Sequence, residues 1–371
     1  MGNTKKNSWW KILLKIIATI VIVALLIVIG YVLYISIQYA RIVDNRSVEI
    51  TNNQTSKVAI GSQYTISTYN IGFGAYSQDF SFFMDDGETL DGEKLQGTGS
   101  VAKDKDTVIF NTTGAVDTIK NANVDFAFFQ EVDVKATRSY SYNQFEHIQN
   151  NFGGYSSSIA MNFHSAYLFY PFSQPHGKTK AGIVTLSKYE ISGAVRRSLP
   201  VDESFPTKFF DLDRCFEVNR LPIDGSDKEL ILINLHLSAY DKGGKIREKQ
   251  LAMLNGVLKE EYDKGNYVIA GGDFNHDIAD SVGYFSTNRK KPEWVYVLTN
   301  DNLQEHFRLV SSKNAPTCRS TDTAYSRENS YKIVLDGFIC SDNVETVSIN
   351  NIDTDFMYSD HNPAVMNFKL I

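Results

Sequence analysis

"GGDFNHD", residues 271–277, follows the apolar run "NYVIA" (266–270) with two glycines, an acid, an aromatic and an amide. The run has the length and composition of a buried strand, and it ends at turn-forming residues. An ordinary core strand has no need of an acid there, so Asp273 is a candidate for chemistry. The same pattern returns near the C-terminus in "YSDHNPAV" (358–365), where Asp360 and His361 stand side by side before Pro363 and the last apolar run, "PAVMNFKLI" (363–371). Neighbouring side chains in an extended segment point opposite ways, so Asp360 and His361 are expected to meet different partners.

Working outward, further runs of strand length are "YTISTYNIG" (64–72), "VDFAFFQEV" (124–132), "AGIVTLSKY" (181–189), "LILINLHLSAY" (230–240) and "YKIVLDGFI" (331–339). Many are apolar on both faces, which predicts central strands in covered sheets. A helix is predicted over 244–264, where Ile246, Leu251, Leu254, Val257 and Leu258 form one stripe and Gly265 is a natural stop. Two more are predicted over 111–123 and 141–154. Strands interleaved with a few outer helices imply a layered α/β domain. Residues 73–110 fit neither period and are expected to be a long loop, whose Phe80, Phe82, Phe83 and Met84 either form a lip over a site or pack the loop down.

The 371-residue chain is 43% hydrophobic, enough for a real core. Residues 16–37 carry no charge, which is long enough for one membrane-spanning helix. No small-residue cleavage site follows, and Tyr31, Tyr34 and Tyr39 suit an interfacial belt, so an uncleaved anchor over 16–38 is expected. Lys5, Lys6, Lys11 and Lys15 precede it and only Arg41 follows closely, which orients residues 1–15 to the cytoplasm and the rest outside the cell membrane. Residues 39–57 are polar and are expected to link the anchor to one domain, 58–371. With five basic residues and no acid before position 42, the remainder holds 32 basic against 43 acidic residues, a net charge of −11, and has no general attraction to polyanions. Three distant cysteines, Cys215, Cys318 and Cys340, make neither a disulfide framework nor a metal spacing, and buried free thiols are expected.

The strand ends share one feature. Asn70 closes the first, Gln130 and Glu131 the second; His236 falls in the fourth, Asp273 and Asn275 at the fifth, Asp336 in the sixth, and Asp360 with His361 before the last. Each alone has an ordinary explanation as a turn residue, surface acid or core histidine; together they suit hydrolysis of a phosphate ester. Glu131 and Asp360 suffice as direct ligands for Mg²⁺, with Mn²⁺ an alternative, and would repel each other without a cation. Asp273 can take a proton from an attacking water while Asn275 holds the geometry. His361 and His236 can hydrogen-bond phosphate oxygens as imidazolium if an acid raises their pKa, and Asp336 is the partner expected for His361.

In this order, "STYNIG", "FFQEVD", "INLHLS", "GGDFNHD", "IVLDGF" and "YSDHNPAV" resemble the motifs of the endonuclease/exonuclease/phosphatase superfamily, which includes deoxyribonuclease I, exonuclease III-type abasic-site enzymes, inositol-polyphosphate 5-phosphatases and neutral sphingomyelinases. The resemblance covers about 64–371. It implies a four-layer α/β/β/α sandwich, here preceded by one N-terminal transmembrane helix, with the site at one edge between two sheets. It further implies Glu131 and Asp360 on Mg²⁺, Asn70 and His236 toward phosphate, Asp273 and Asn275 on the water or a second metal, and Asp336 paired with His361. The partners implied are a phosphoester substrate (nucleic acid, phospholipid head group or small phosphate ester) and the membrane, for a monomeric chain. Arg138, Lys135, His176, Lys178, Arg214 and Arg247 are candidate substrate readers or scattered surface charges. The competing expectation is a non-catalytic surface binding module that retained the fold.

Overall fold

The computed structural model describes residues 8–39, 41–205, 207–239 and 244–371. Lys5 and Lys6 of the orientation argument, and Tyr240 of the 230–240 run, lie outside the described residues. Two seven-stranded mixed sheets pack face to face. The first is ordered Arg46–Ser47, Gly193–Ser198, Cys215–Pro222, Glu229–His236, Tyr267–Asp273, Asp336–Ser341, Phe307–Val310. The second is ordered Val344–Asn351, Ala364–Leu370, Gln63–Asn70, Phe126–Ala136, Thr179–Ser187, Ser156–His164, Ile50–Thr51.

Between the sheets lie Ile66, Phe126, Phe128, Leu230, Leu232, Ile269, Phe338 and Phe368. Helix α4 (Lys245–Asp263) covers the outer face of the first sheet, burying Leu254 and Leu258 against Ile231, Ile233 and Val268. Helices α2 (Lys105–Asn121) and α3 (Gln144–Asn151) cover the second, through Val116, Ile119 and Ile148 against Phe129 and Val184. Strands apolar on both faces are accommodated because each sheet is covered twice. This is the expected four-layer α/β/β/α sandwich, and α1 (Ser8–Gln38) before it is long and apolar enough to cross a membrane. All three cysteines are free and buried.

Some elements differ from expectation. Helix α2 begins before 111, because Asp104 caps it by accepting from the Thr107 backbone N–H, while Asn111 sits buried within it and donates to the Gly74 carbonyl at 2.9 Å. The 331–339 run splits into Lys332–Ile333, paired with Cys318–Arg319, and Asp336–Ser341 in the first sheet. Within 73–110, Phe73, Tyr76 and Phe80 pack on Val108 and Ala102, so the segment is folded down, with Met84 left exposed. The 39–57 stretch supplies two short edge strands, Arg46–Ser47 on Gly193–Ser198 and Ile50–Thr51 on Ser156–His164.

A polar cluster crosses the inter-sheet core. Gln130 donates to Asn234 at 2.8 Å, and Thr185 donates to the fully buried Glu217 at 2.7 Å. Burial raises the Glu217 carboxyl to about 7, against hydrogen bonds that lower it. The folded value lies above the ordinary 4.5, so the unfolded chain ionises first and stability falls as pH rises from about 4.5 to 7. Glu217→Gln is expected to remove that loss, gaining up to about 3 kcal/mol at pH 8 and nothing at pH 4 in paired urea titrations. An equal effect at both pH values would show that Glu217 is not held protonated.

Candidate active site

Strand register assembles the site. Tyr267–Asp273 pairs parallel with Glu229–His236 and antiparallel with Asp336–Ser341, setting His236 opposite Asp273 and Asp273 opposite Asp336. Residues opposite one another point to the same face, so one sheet presents two acids and an imidazole in a row. Gly272 makes this pairing possible: at φ +149°, a Cβ there would collide with the Leu235 carbonyl. In the second sheet Asn70 stands opposite Gln130, and the register shifts between Phe129 and Val132. Glu131 falls in that bulge with φ 56°, which redirects its side chain from the alternation of the strand.

The two sheets meet through Asn70. Its Nδ2 donates to Glu131 Oε1 and to Asp273 Oδ2, both at 3.1 Å, while its Oδ1 accepts from the Gly72 N–H at 3.0 Å. His361 Nδ1 lies 2.8 Å from Asp336 Oδ2, and its Nε2 lies 3.7 Å from Asp273 Oδ2. Thr317 Oγ1 accepts from the Leu335 and Asp336 N–H groups at 2.8 and 3.0 Å, fixing the backbone that carries Asp336. Asn275 serves Asp273 through its backbone, whose N–H donates to Asp273 Oδ1 at 2.8 Å; its side-chain amide donates to the Leu237 carbonyl. Asp360 accepts from Ser359 Oγ at 3.2 Å and lies next to Gly72, where a Cβ would stand 3.0 Å from its Oδ1.

Electrostatics separate the two histidines. His361 is buried, which alone would lower its pKa, yet the charges of Asp336 and Asp273 hold it well above the ordinary value as an imidazolium. His236 goes the other way: burial, with the Arg214, His361 and Arg138 charges, holds it well below, as neutral imidazole. Its Nε2 is 3.5 Å from Asp273 Oδ2, but burial and the three surrounding cations outweigh that acid. A charged form was expected of either histidine only if an acid raised its pKa, with Asp336 the partner for His361; that pair forms, and His236 stays neutral. Burial raises Asp273 to about 6, against the His361 charge, with Asp336 adding repulsion.

Asp360 tests whether these residues suit a cation. Burial raises its carboxyl to about 6, the Glu131 charge adds to the rise, and the His361 and Arg319 charges oppose it. Two carboxylates crowded in this way are hard oxygen donors that a divalent cation would neutralise, so Glu131 and Asp360 fit Mg²⁺ or Mn²⁺. Asp273, Asp336 and His361 also cluster, with donor atoms within 4.8 Å of one another. There the 2.8 Å contact between His361 and Asp336 is that of a charge-assisted hydrogen bond, which suits an ion pair better than a ligand set.

The structure thus brings Asn70, Glu131, His236, Asp273, Asn275, Asp336, Asp360 and His361 to one edge between the sheets. The basic candidates divide. Arg138 is buried, paired with Asp133 at 2.8 Å and stacked 3.9 Å over the Phe73 ring. His176 is buried with Nδ1 3.1 Å from the Ser100 carbonyl, and burial with Arg138 pushes it down to about 3, so it brings no charge to "PHGK". Arg247 is held by the Asn275 and Trp294 carbonyls, whereas Lys135 and Lys178 are exposed. Sequence reasoning missed Arg319, a buried guanidinium whose charge acts on Asp360. It lies in a two-residue strand within the polar stretch "NAPTCRSTDT" (314–323), where no motif or apolar run marks it.

The sandwich and its acid-rich edge define a deoxyribonuclease I-like protein of the phosphoester hydrolase class. The model of the Endonuclease/Exonuclease/phosphatase family matches residues 67–361, and the chain belongs to that family. No curated protein matches the sequence significantly. Among solved structures, ANGEL2, described as a 2′,3′-cyclic phosphatase in complex with adenosine-2′,3′-vanadate, superposes with TM-score 0.52 at 15% identity, covering 89% of this chain and 99% of that one. TDP2 from C. elegans gives 0.51 at 14%, covering 84% and 76%. An endonuclease/exonuclease/phosphatase from Beutenbergia cavernae gives 0.50 at 15%, covering 83% and 72%. At such identities these likenesses speak for the fold.

Proposed function

We propose that residues 58–371 are a divalent-metal-dependent phosphoester hydrolase, monomeric, held outside the cell membrane by a single span over 16–38, with residues 1–15 in the cytoplasm and 39–57 joining the two. The observation that carries this reading is the Asn70 amide bridging Glu131 and Asp273, with the His361–Asp336 pair beside the same Asp273 oxygen. Mg²⁺ or Mn²⁺ held by Glu131 and Asp360 would supply neutralisation of phosphate oxygens and of charge on the leaving group. Asp273 takes the proton of the attacking water, and the Asn275 N–H and Asn70 amide hold its carboxylate in place. Asp336 keeps His361 charged and oriented, leaving Nε2 to donate to a phosphate oxygen. His236, neutral, contributes a hydrogen bond without charge.

Nucleic acid, a phospholipid head group and a small phosphate ester all suit this chemistry, as monoester or diester. Every acid the reaction needs is present, which leaves the non-catalytic module without a feature of its own. The test is a substrate panel for the full chain with Mg²⁺, Mn²⁺ and Ca²⁺: plasmid DNA, RNA, sphingomyelin, inositol phosphates and sugar phosphates. At least one is expected to be hydrolysed only with metal. No turnover on any, together with no metal binding by calorimetry, would restore the binding-module reading.

A further inference from the structure

Helix α1 does not end in free chain. Tyr31 and Ile35, on one face of its last two turns, and Tyr39 just past it pack on Ala166 and Phe209 of the domain. Tyr31 Oη donates to the Tyr167 carbonyl at 3.2 Å, and the Tyr167 N–H donates to Tyr34 Oη at 3.1 Å. Arg41, just past the helix, pairs with Asp213 at 3.0 Å. The helix is also longer than a bilayer needs. At a rise of about 1.5 Å per residue, Trp10 to Tyr31 spans about 32 Å, close to the ~30 Å hydrocarbon core. Trp9 and Trp10 then lie at one interface and Tyr31 and Tyr34 at the other, where aromatic rings are favoured. The turns that dock on the domain begin where the hydrocarbon ends.

At that level the domain exposes large aromatic side chains. Phe169 is 49% exposed, Tyr170 58%, Phe172 85%, Phe205 65% and Phe210 40%. They belong to two loops, and each is tied to α1. Phe169 packs on Tyr31 with ring centroids 5.3 Å apart, and Phe172 packs on Tyr170. Phe209, which meets Tyr39 at 5.3 Å, contacts Phe205 and precedes Phe210. Five such rings together in water would be an unusual apolar patch, and this one surrounds the exit of a membrane span. Asp202 and Glu203 flank it and Lys208 lies over the Tyr39 and Phe209 rings, so the charge around it is mixed and the rings are its main feature.

The same surface adjoins the catalytic edge. Tyr170 packs on Phe83, Phe83 on Phe82 and Phe82 on Tyr76. Tyr76 lies over Gly72, where Asp360 also approaches. A second route runs from Arg41 through Asp213 to its neighbour Arg214, whose charge acts on His236.

We propose that Phe169, Tyr170, Phe172, Phe205 and Phe210 are a bilayer-docking surface, which seats the domain flush on the leaflet that α1 leaves and sets the catalytic edge beside lipid head groups. This rests on the proposed membrane span of α1, and it does not need the hydrolase reading to hold. The test uses the full chain in phosphatidylcholine nanodiscs, spin-labelled at Phe172→Cys or Phe205→Cys; both side chains are exposed, and the native cysteines are buried. Asp227→Cys is the control, in the exposed turn at the end of Glu229–His236 away from His236. Labels at 172 and 205 are expected to collide with oxygen more than with a water-soluble nickel complex, and the label at 227 the reverse. Nickel accessibility at 172 and 205 equal to that at 227 would overturn the proposal. So would shielding from both reagents, the result a protein partner would give. Since no turnover is read, inactivity would count against the hydrolase alone.

Discussion

Asp273→Asn is expected to lower turnover by about 10²- to 10⁴-fold with only a modest change in Tm. The amide has the shape of the carboxylate and can keep a contact with the Asn275 N–H, but it cannot accept a proton from water. Burial already disfavours the Asp273 charge, which limits the cost to the fold, although the new amide NH₂ faces the Asn70 Nδ2 that Oδ2 accepts from. His361→Ala tests the other side of the same oxygen. It leaves Asp336 buried without the imidazolium it faces, so it is expected to cost more stability than Asp273→Asn, which keeps the shape of the side chain and loses only the Asn70 contact. Activity retained in Asp273→Asn, measured on whichever ester the substrate panel identifies, would remove Asp273 from the reaction.

Chelation is expected to abolish turnover, and Mg²⁺ or Mn²⁺ to restore it. The stability of the chain should follow. A cation bound only by the folded state adds about 2.7 kcal/mol at a hundred times its dissociation constant, a rise in Tm that is easily read. Glu131→Gln should reverse the order of the two proteins. Without metal it relieves the repulsion on Asp360 and matches or exceeds the unchanged chain in Tm; with metal it gains less. A Tm for the unchanged chain that does not respond to either ion would sink the assignment of Glu131 and Asp360.

Much of the sandwich was legible because its central strands are buried on both faces, and "YTISTYNIG", "LILINLHLSAY" and "NYVIAGGDF" therefore stand out as apolar runs. Strands such as Val344–Asn351 and Ser156–His164 were not, since exposed or polar positions along them remove the contrast on which such reading depends. Helix α2 was placed too late because a cap at Asn111 and a buried asparagine inside a helix look alike along the chain. The site motifs were legible because acids and imidazoles at the ends of apolar runs are costly unless they have a use.

By itself the sequence determined the family-type order of motifs, the covered sheets and the apolar N-terminal helix, all of which are local in character: runs, turns and residue types at short spacing. Only the tertiary structure decided that Asn70 joins acids from two sheets and that His361 is charged while His236 is not. It also decided that Arg319 stands by Asp360 and that the anchor packs on the domain. Each of these depends on which groups meet across long stretches of chain, and charge, proton position and burial are set by those neighbours, not by the residues beside them in sequence.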